Sequence, residues 1–176
     1  MKMFSKLALF LISFYQLFSF AQAAQAVSPV TALPDAGLQS VQSTAKFHVL
    51  RMKPGQDFLI EITEWAKRNK IKAASIVTVV GSFKKVNLRY ANLDSTTAQN
   101  GFFEIVSLVG TFNESSAHLH ASVSNSKGET FGGHLVNGNI VYTTAEVVIA
   151  EIENAVFTRE HDAASGWDEL VIRPKR

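Results

Sequence analysis

The spacing of apolar and polar positions changes along the chain, and each change marks an element. Phe47, Val49 and Met52 stand among polar neighbours, the pattern of a half-buried strand. Pro54-Gly55-Gln56-Asp57 reads as a turn whose last residue can cap a helix. Phe58, Ile62, Trp65 and Ala66 then fall at helical spacing, which predicts an amphipathic helix over residues 58–69 with Asn69 as its stop. Beyond it the pattern becomes β. Residues 73–80 form a near-continuous apolar run rich in β-branched side chains, as expected of a central strand buried on both faces. Gly81-Ser82 ends or bulges it, and residues 86–90 alternate. A polar loop is predicted over 92–100. Residues 102–109, 118–124, 130–134, 140–142 and 145–150 read as further strands. Asn125-Ser126-Lys127-Gly128 and Asn137-Gly138-Asn139 supply turns between them. One main amphipathic helix and many short strands predict an α+β domain with a largely antiparallel β-sheet.

The first residues follow a different logic. Lys2 and Lys6 flank a short basic start, residues 7–20 are an apolar run, and Ala21-Gln22-Ala23 supplies small-x-small, repeated by Ala24-Gln25-Ala26. This is the layout of a signal peptide over residues 1–23. The apolar run falls short of the ~20 residues a spanning helix needs, and Ser13, Gln16 and Ser19 dilute it. The expected location is the periplasm or the extracellular space, with no stable membrane anchor after cleavage. Residues 24–44, rich in Ala, Gln, Ser and Thr and broken by Pro29, Pro34 and Gly37, read as a flexible leader. The domain is expected over 45–173, with a basic tail at 174–176.

Cleavage changes the charge. Loss of Lys2 and Lys6 takes the 17 basic residues to 15, equal to the 15 acidic ones. A neutral domain has little with which to neutralise a phosphate backbone, so nucleic acid is not the expected partner. The chain has no cysteine, which excludes disulfides, thiol nucleophiles and thiolate metal ligands.

One constellation could carry chemistry. His118 and His120 are two apart in a predicted strand, so their side chains leave the same face. His134 follows a turn, at a distance that suits a hairpin or near-hairpin, and Gly132-Gly133 allows close backbone approach. Three neutral imidazoles form a donor set for Zn²⁺ or another divalent metal, with a fourth position left open. The alternative is two strand histidines and an unrelated third. Glu104 and Glu146 lie in apolar strands, where a buried carboxylate needs a partner. Arg51, Arg89 and Arg159 are the candidates. In the sharper reading one of these carboxylates accepts a hydrogen bond from a ligand histidine or acts as a catalytic base. His48 and His161 read as surface or packing residues.

Five segments in order resemble the PPC domain, the plant and prokaryote conserved domain. Gly101-Phe102-Phe103-Glu104-Ile105 is similar to its Gly-x-Phe-Glu-Ile block, and His118-Leu119-His120-Ala121 to its histidine strand. Gly128 followed by Phe131-Gly132-Gly133-His134 resembles its glycine-histidine turn. Thr144-Ala145-Glu146-Val147 resembles the strand after it. Phe157-x-Arg159 with Gly166-x-x-Glu169-Leu170 resembles the family's ending. The resemblance covers roughly residues 47–172. It implies an antiparallel-sheet fold, a homotrimer and, in some prokaryotic members, a metal on histidines of this kind. Plant members join the domain to DNA-binding AT-hooks, and this chain has no Arg-Gly-Arg-Pro core. Three functions follow: a self-associating domain that binds an unknown small molecule or protein partner, a zinc-dependent hydrolase or lyase, and the family's DNA-binding role, which the neutral charge disfavours.

The export reading predicts a mature N-terminus at Ala24, or close to it where the second Ala-Gln-Ala is used. N-terminal sequencing of protein from the extracytoplasmic fraction checks this, and intact Met1 in the cytoplasm would overturn it.

Overall fold

A computed structural model describes residues 37–176. The predicted signal peptide and the predicted leader as far as residue 36 lie outside them. Asp57 caps the helix: its backbone is extended, and its carboxylate accepts from the Leu59 and Ile60 N–H groups at 3.1 and 3.3 Å. Helix α1 (Phe58–Arg68) buries Phe58, Ile62 and Ala66. Asn69 ends it, donating from its side-chain amide to the Trp65 carbonyl at 2.8 Å. Among the described residues no helix is long and apolar enough to cross a membrane.

Six strands, β1 (Ala45–Met52), β2 (Ala74–Arg89), β3 (Thr97–Phe112), β4 (Ala117–Ser124), β5 (Thr130–Leu135) and β6 (Ile140–Ile152), form one antiparallel sheet in the order β1-β6-β2-β3-β4-β5. The α+β reading therefore holds. The strands are longer than the alternation suggested. Residues 73–80 and 86–90 are parts of a single strand, β2, in which register shifts around Gly81 and Phe83 absorb the break. Residues 97–100, expected in a loop, open β3 and pair with β2. A bulge leaves an irregular stretch of polar and apolar positions, and local alternation reads it as an end although the ladder continues.

Two further strands, β7 (Ala155–Asp162) and β8 (Trp167–Pro174), form a separate hairpin. Its outer half is polar and exposed, so hydrophobic patterning did not reveal it. At its base Ala155 and Phe157 pack with Ala73 in a small second core, joined by Val41, Ile152, Leu170 and Ile172. The leader is thereby corrected at its far end. Val41 belongs to this core, and the Gln39 side chain accepts from the Ile172 N–H at 2.8 Å.

The main core lies between α1 and the inner face of the sheet, with Phe58, Phe83, Phe112, Leu88, Leu108 and Leu119 fully buried. The other face is not covered by any of the described residues. Val77 and Val80 of β2 are 50% and 55% exposed, which corrects the expectation that this strand is buried on both sides. β2 has one more neighbour. Its last residues leave β6 and pair with β5, Leu88 opposite Leu135 and Arg89 opposite His134, so the far edge of the sheet curls back onto its centre. Asn139, fully buried, holds this junction. Its amide nitrogen donates to the Asn87 and Val136 carbonyls at 3.1 and 2.6 Å, and its oxygen accepts from the Asn87 N–H at 2.9 Å.

Replacing Asn139 with Ala strands these buried backbone groups. The expected cost is on the order of 2–3 kcal/mol, read as a lower urea midpoint. An unchanged midpoint would show that the junction does not depend on this side chain.

Candidate metal centre

β4 alternates, so Leu119 enters the core while His118 and His120 stand on the opposite face. The antiparallel register of β4 and β5 then sets His134 directly opposite His120. Close packing of backbones makes this possible. A Cβ on Gly132 would lie 2.6 Å from the Ala121 carbonyl oxygen, and one on Gly133 2.8 Å from that of Arg89. Any larger residue would push β5 away from β4 on one side or β2 on the other. The expected convergence of all three histidines is what the fold produces. Their ring centroids are 5.1, 5.1 and 5.5 Å apart.

The donor atoms fit a metal. One nitrogen from each ring lies within 4.8 Å of the others, and the His118 and His120 Nε2 atoms are 3.2 Å apart. Tetrahedral Zn–N bonds of ~2.1 Å place ligand nitrogens roughly 3.4 Å from one another, within reach of small ring rotations. His134 Nδ1 is buried without a hydrogen-bond partner, an arrangement that costs about 1–3 kcal/mol unless something satisfies it. The electrostatics favour the ligating form. Burial, then His118 and Arg89, holds the His134 imidazole down at about 4. Burial, then Arg159 and His120, lowers His118, while Glu169 opposes the shift. Neutral imidazoles are the metal-binding species.

Glu104 and Glu146 are not brought to this centre. Glu104 is exposed and lies opposite Ser124, four residues along β4 from His120 and so about 13 Å away along the strand. Glu146 is exposed on β6 opposite Arg51, with β2 and β3 between it and β4. Exposed carboxylates need no buried partner, and Arg51 donates instead to Thr144 Oγ1 at 3.1 Å. His48 packs edge-on against Trp65 and lies 2.9 Å from a Glu151 oxygen. His161 sits on the exposed hairpin, 3.8 Å from Asp168. Both have the packing or surface roles their positions suggested.

The residues that sequence reasoning missed surround a cavity of about 780 Å³ beside the histidines. Arg89 and His134 line it from the paired ends of β2 and β5, His118 from β4, and Arg159, Trp167 and Glu169 from the hairpin. The sequence alone suggests Arg89 and Arg159 only as partners for carboxylates. Gly166-x-x-Glu169 is a visible motif, but nothing in its spacing ties it to histidines that lie 35 to 51 residues before Glu169.

The depressed histidines give the metal-free protein a pH dependence. His134 titrates near 6.5 unfolded and about 4 folded, so between those values the unfolded chain binds more protons. Stability is then present above about 6.5 and lost as pH falls towards about 4. Thermal melting of metal-free protein across this window should fall with pH, and His134→Gln should flatten the slope. An unchanged slope in the variant would remove His134 as its source.

Comparison with known proteins bears on this arrangement. The Plants and Prokaryotes Conserved (PCC) domain matches residues 39–153, a span that contains all three histidines. The chain is 36% identical over 129 residues to the Bifunctional protein GlmU of Synechococcus sp. (strain JA-2-3B'a(2-13)), across 73% of this chain and 20% of that protein. It therefore spans about a fifth of that relative's length. Its structure is similar to that of a hypothetical protein from Salmonella cholerae-suis, with TM-score 0.77 and 40% identity over 78% of this chain and 100% of that one. It also shares the fold of a metal-containing protein from Archaeoglobus fulgidus, with TM-score 0.67 and 22% identity over 76% of this chain and 99% of that one. The order of motifs, the sheet they build and the match across most of the described fold agree, and the chain belongs to the Plants and Prokaryotes Conserved (PCC) domain family.

Proposed function

We propose that this is an exported, self-associating PCC domain that holds one divalent ion, Zn²⁺, on His118, His120 and His134 and uses it to bind a small molecule or a protein partner. The observation that carries the reading is the convergence of three imidazole nitrogens within 4.8 Å on one open face of the sheet. Bound zinc would supply a Lewis acid with a coordination position free for a ligand. The chain's part is to keep the imidazoles neutral, to fix two of them on one strand, and to set the third opposite by register.

Self-association has its own support. Phe47, Val49, Val80, Phe102, Val106 and Val109 are between 49% and 76% exposed. They lie on β1, β2 and β3, and Val109 faces His120 across the β3–β4 ladder. An apolar sheet face of this kind marks an interaction surface, and the homotrimer implied by the family resemblance would cover it with further copies of the chain. Export rests on Lys2, Lys6 and the Ala21-Gln22-Ala23 pattern.

A second reading, a zinc-dependent hydrolase or lyase, is favoured by one feature. The cavity gives a substrate room beside the histidines and carries Glu169 on its wall, a carboxylate of the type that serves as general base at such centres.

The test is metal analysis and light scattering on zinc-loaded, dialysed protein. The expected result is one zinc per chain and the mass of a trimer. His120→Ala should weaken zinc binding by orders of magnitude, and Phe102→Glu should lower the mass. Equal zinc in the wild type and a variant lacking all three histidines would overturn the metal reading. A wild-type monomer at micromolar concentration would overturn the assembly.

A further inference from the structure

The cavity beside the histidines carries a pair of cations that the metal does not use. Arg89 closes β2 directly opposite His134. Arg159 comes from β7, in a different sheet. Both are half-buried and line the cavity together with His118 and His134. Their own hydrogen bonds are long. Arg89 donates to the Leu93 carbonyl at 3.5 Å and Arg159 to Thr111 Oγ1 at 3.4 Å. Among the described residues neither forms a salt bridge, whereas Lys46, Lys72 and Arg173 each have a carboxylate partner. Two half-buried guanidiniums with uncommitted donors, aimed at one cavity, are suited to an oxyanion, since the planar fork matches carboxylate and phosphate alike.

The hairpin that carries Arg159 limits what else the ligand can be. Asp168 and Glu169 line the cavity from its second strand, β8, beside the exposed ring of Trp167. Carboxylates there repel a second anionic group and accept hydrogen bonds from a hydroxyl or an amine. The volume of about 780 Å³ is that of a small-molecule site.

We propose that Arg89 and Arg159 bind the anionic group of a small organic ligand, a carboxylate or a phosphate, and hold it against the open position of the histidine-bound metal. This deepens the metal reading and rests on it only for the metal's share of the attraction. The arginines play their part whether or not zinc is bound.

Calorimetric titration of zinc-loaded full chain with glycolate and with inorganic phosphate tests this, with zinc content measured on the same samples. At least one anion should bind one to one per chain, and which one binds separates the two ligand sources. Arg89→Gln and Arg159→Gln should each weaken that binding about tenfold or more. Arg89→Lys and Arg159→Lys keep the charge without the fork and should fall between wild type and the glutamine variants. They also carry the test if melting curves show that a glutamine variant does not fold. Failure of both anions to bind at millimolar concentration overturns the proposal. So does binding that none of the arginine changes affects, which would be an adventitious ion only. Zinc retained without arginine-dependent anion binding removes this proposal and leaves the metal reading. Arginine-dependent binding by protein that takes up no zinc removes the metal reading alone.

Discussion

The pairing of the end of β2 with β5 is the constraint on which the site depends. β2 is the centre of the sheet, flanked along most of its length by β3 and β6. At Leu88 and Arg89 it exchanges β6 for β5. That exchange brings β5, otherwise a free edge, back against the middle of the fold, so one backbone lies between β4 and β2. His134 is then registered against His120 on one side and Arg89 on the other. Gly132 and Gly133 make the approach sterically possible, and buried Asn139 satisfies the polar groups that the crossing would strand. Displacement of β5 would remove one of the three clustered histidines and one wall of the cavity at once.

The same curl explains why the inner and outer faces differ so much. Inside, α1 and the aromatic side chains of β2 and β3 fill the volume, and Phe58 meets Phe83 edge to face. Outside, the described residues form no second layer. The valines and phenylalanines on that face have the β-branched and aromatic character of strands meant to be covered, yet among the described residues the element at the histidine end is the β7–β8 hairpin. It contributes cavity residues from its polar half and a small apolar core at its base. The outer surface thus joins an apolar field to a polar pocket. Charge is mixed there, with Arg89 beside the histidines and Arg159 on the same hairpin as Asp168 and Glu169.

Residues 58–66 show what local pattern can determine. Helical spacing, the Asp57 cap and the Asn69 stop are all properties of neighbouring residues, and they specify α1 without reference to the rest of the chain. The His118/His120 pair is of the same kind, because a strand's two-residue period puts both on one face whatever lies opposite. Alternation also located every strand of the main sheet, though it broke β2 and β6 where bulges interrupt the period. Glu104 and Glu146 show the reverse. Their apolar neighbours suggested burial, but the face they stand on is exposed, and strand period alone does not tell which face a core will cover.

By itself, then, the sequence determined the class of fold, the order of elements in the main sheet, the pairing of two histidines and the family, because each is written in local spacing or in the order of short motifs along the chain. Only the tertiary structure decided that Arg89 and Arg159 join the histidines rather than the glutamates, that the hairpin walls the cavity, and that residues 39–41 belong to the fold. Those facts depend on registers between strands far apart in the chain. Register is set by packing, bulges and backbone closeness summed over the whole sheet, and no local pattern carries that sum.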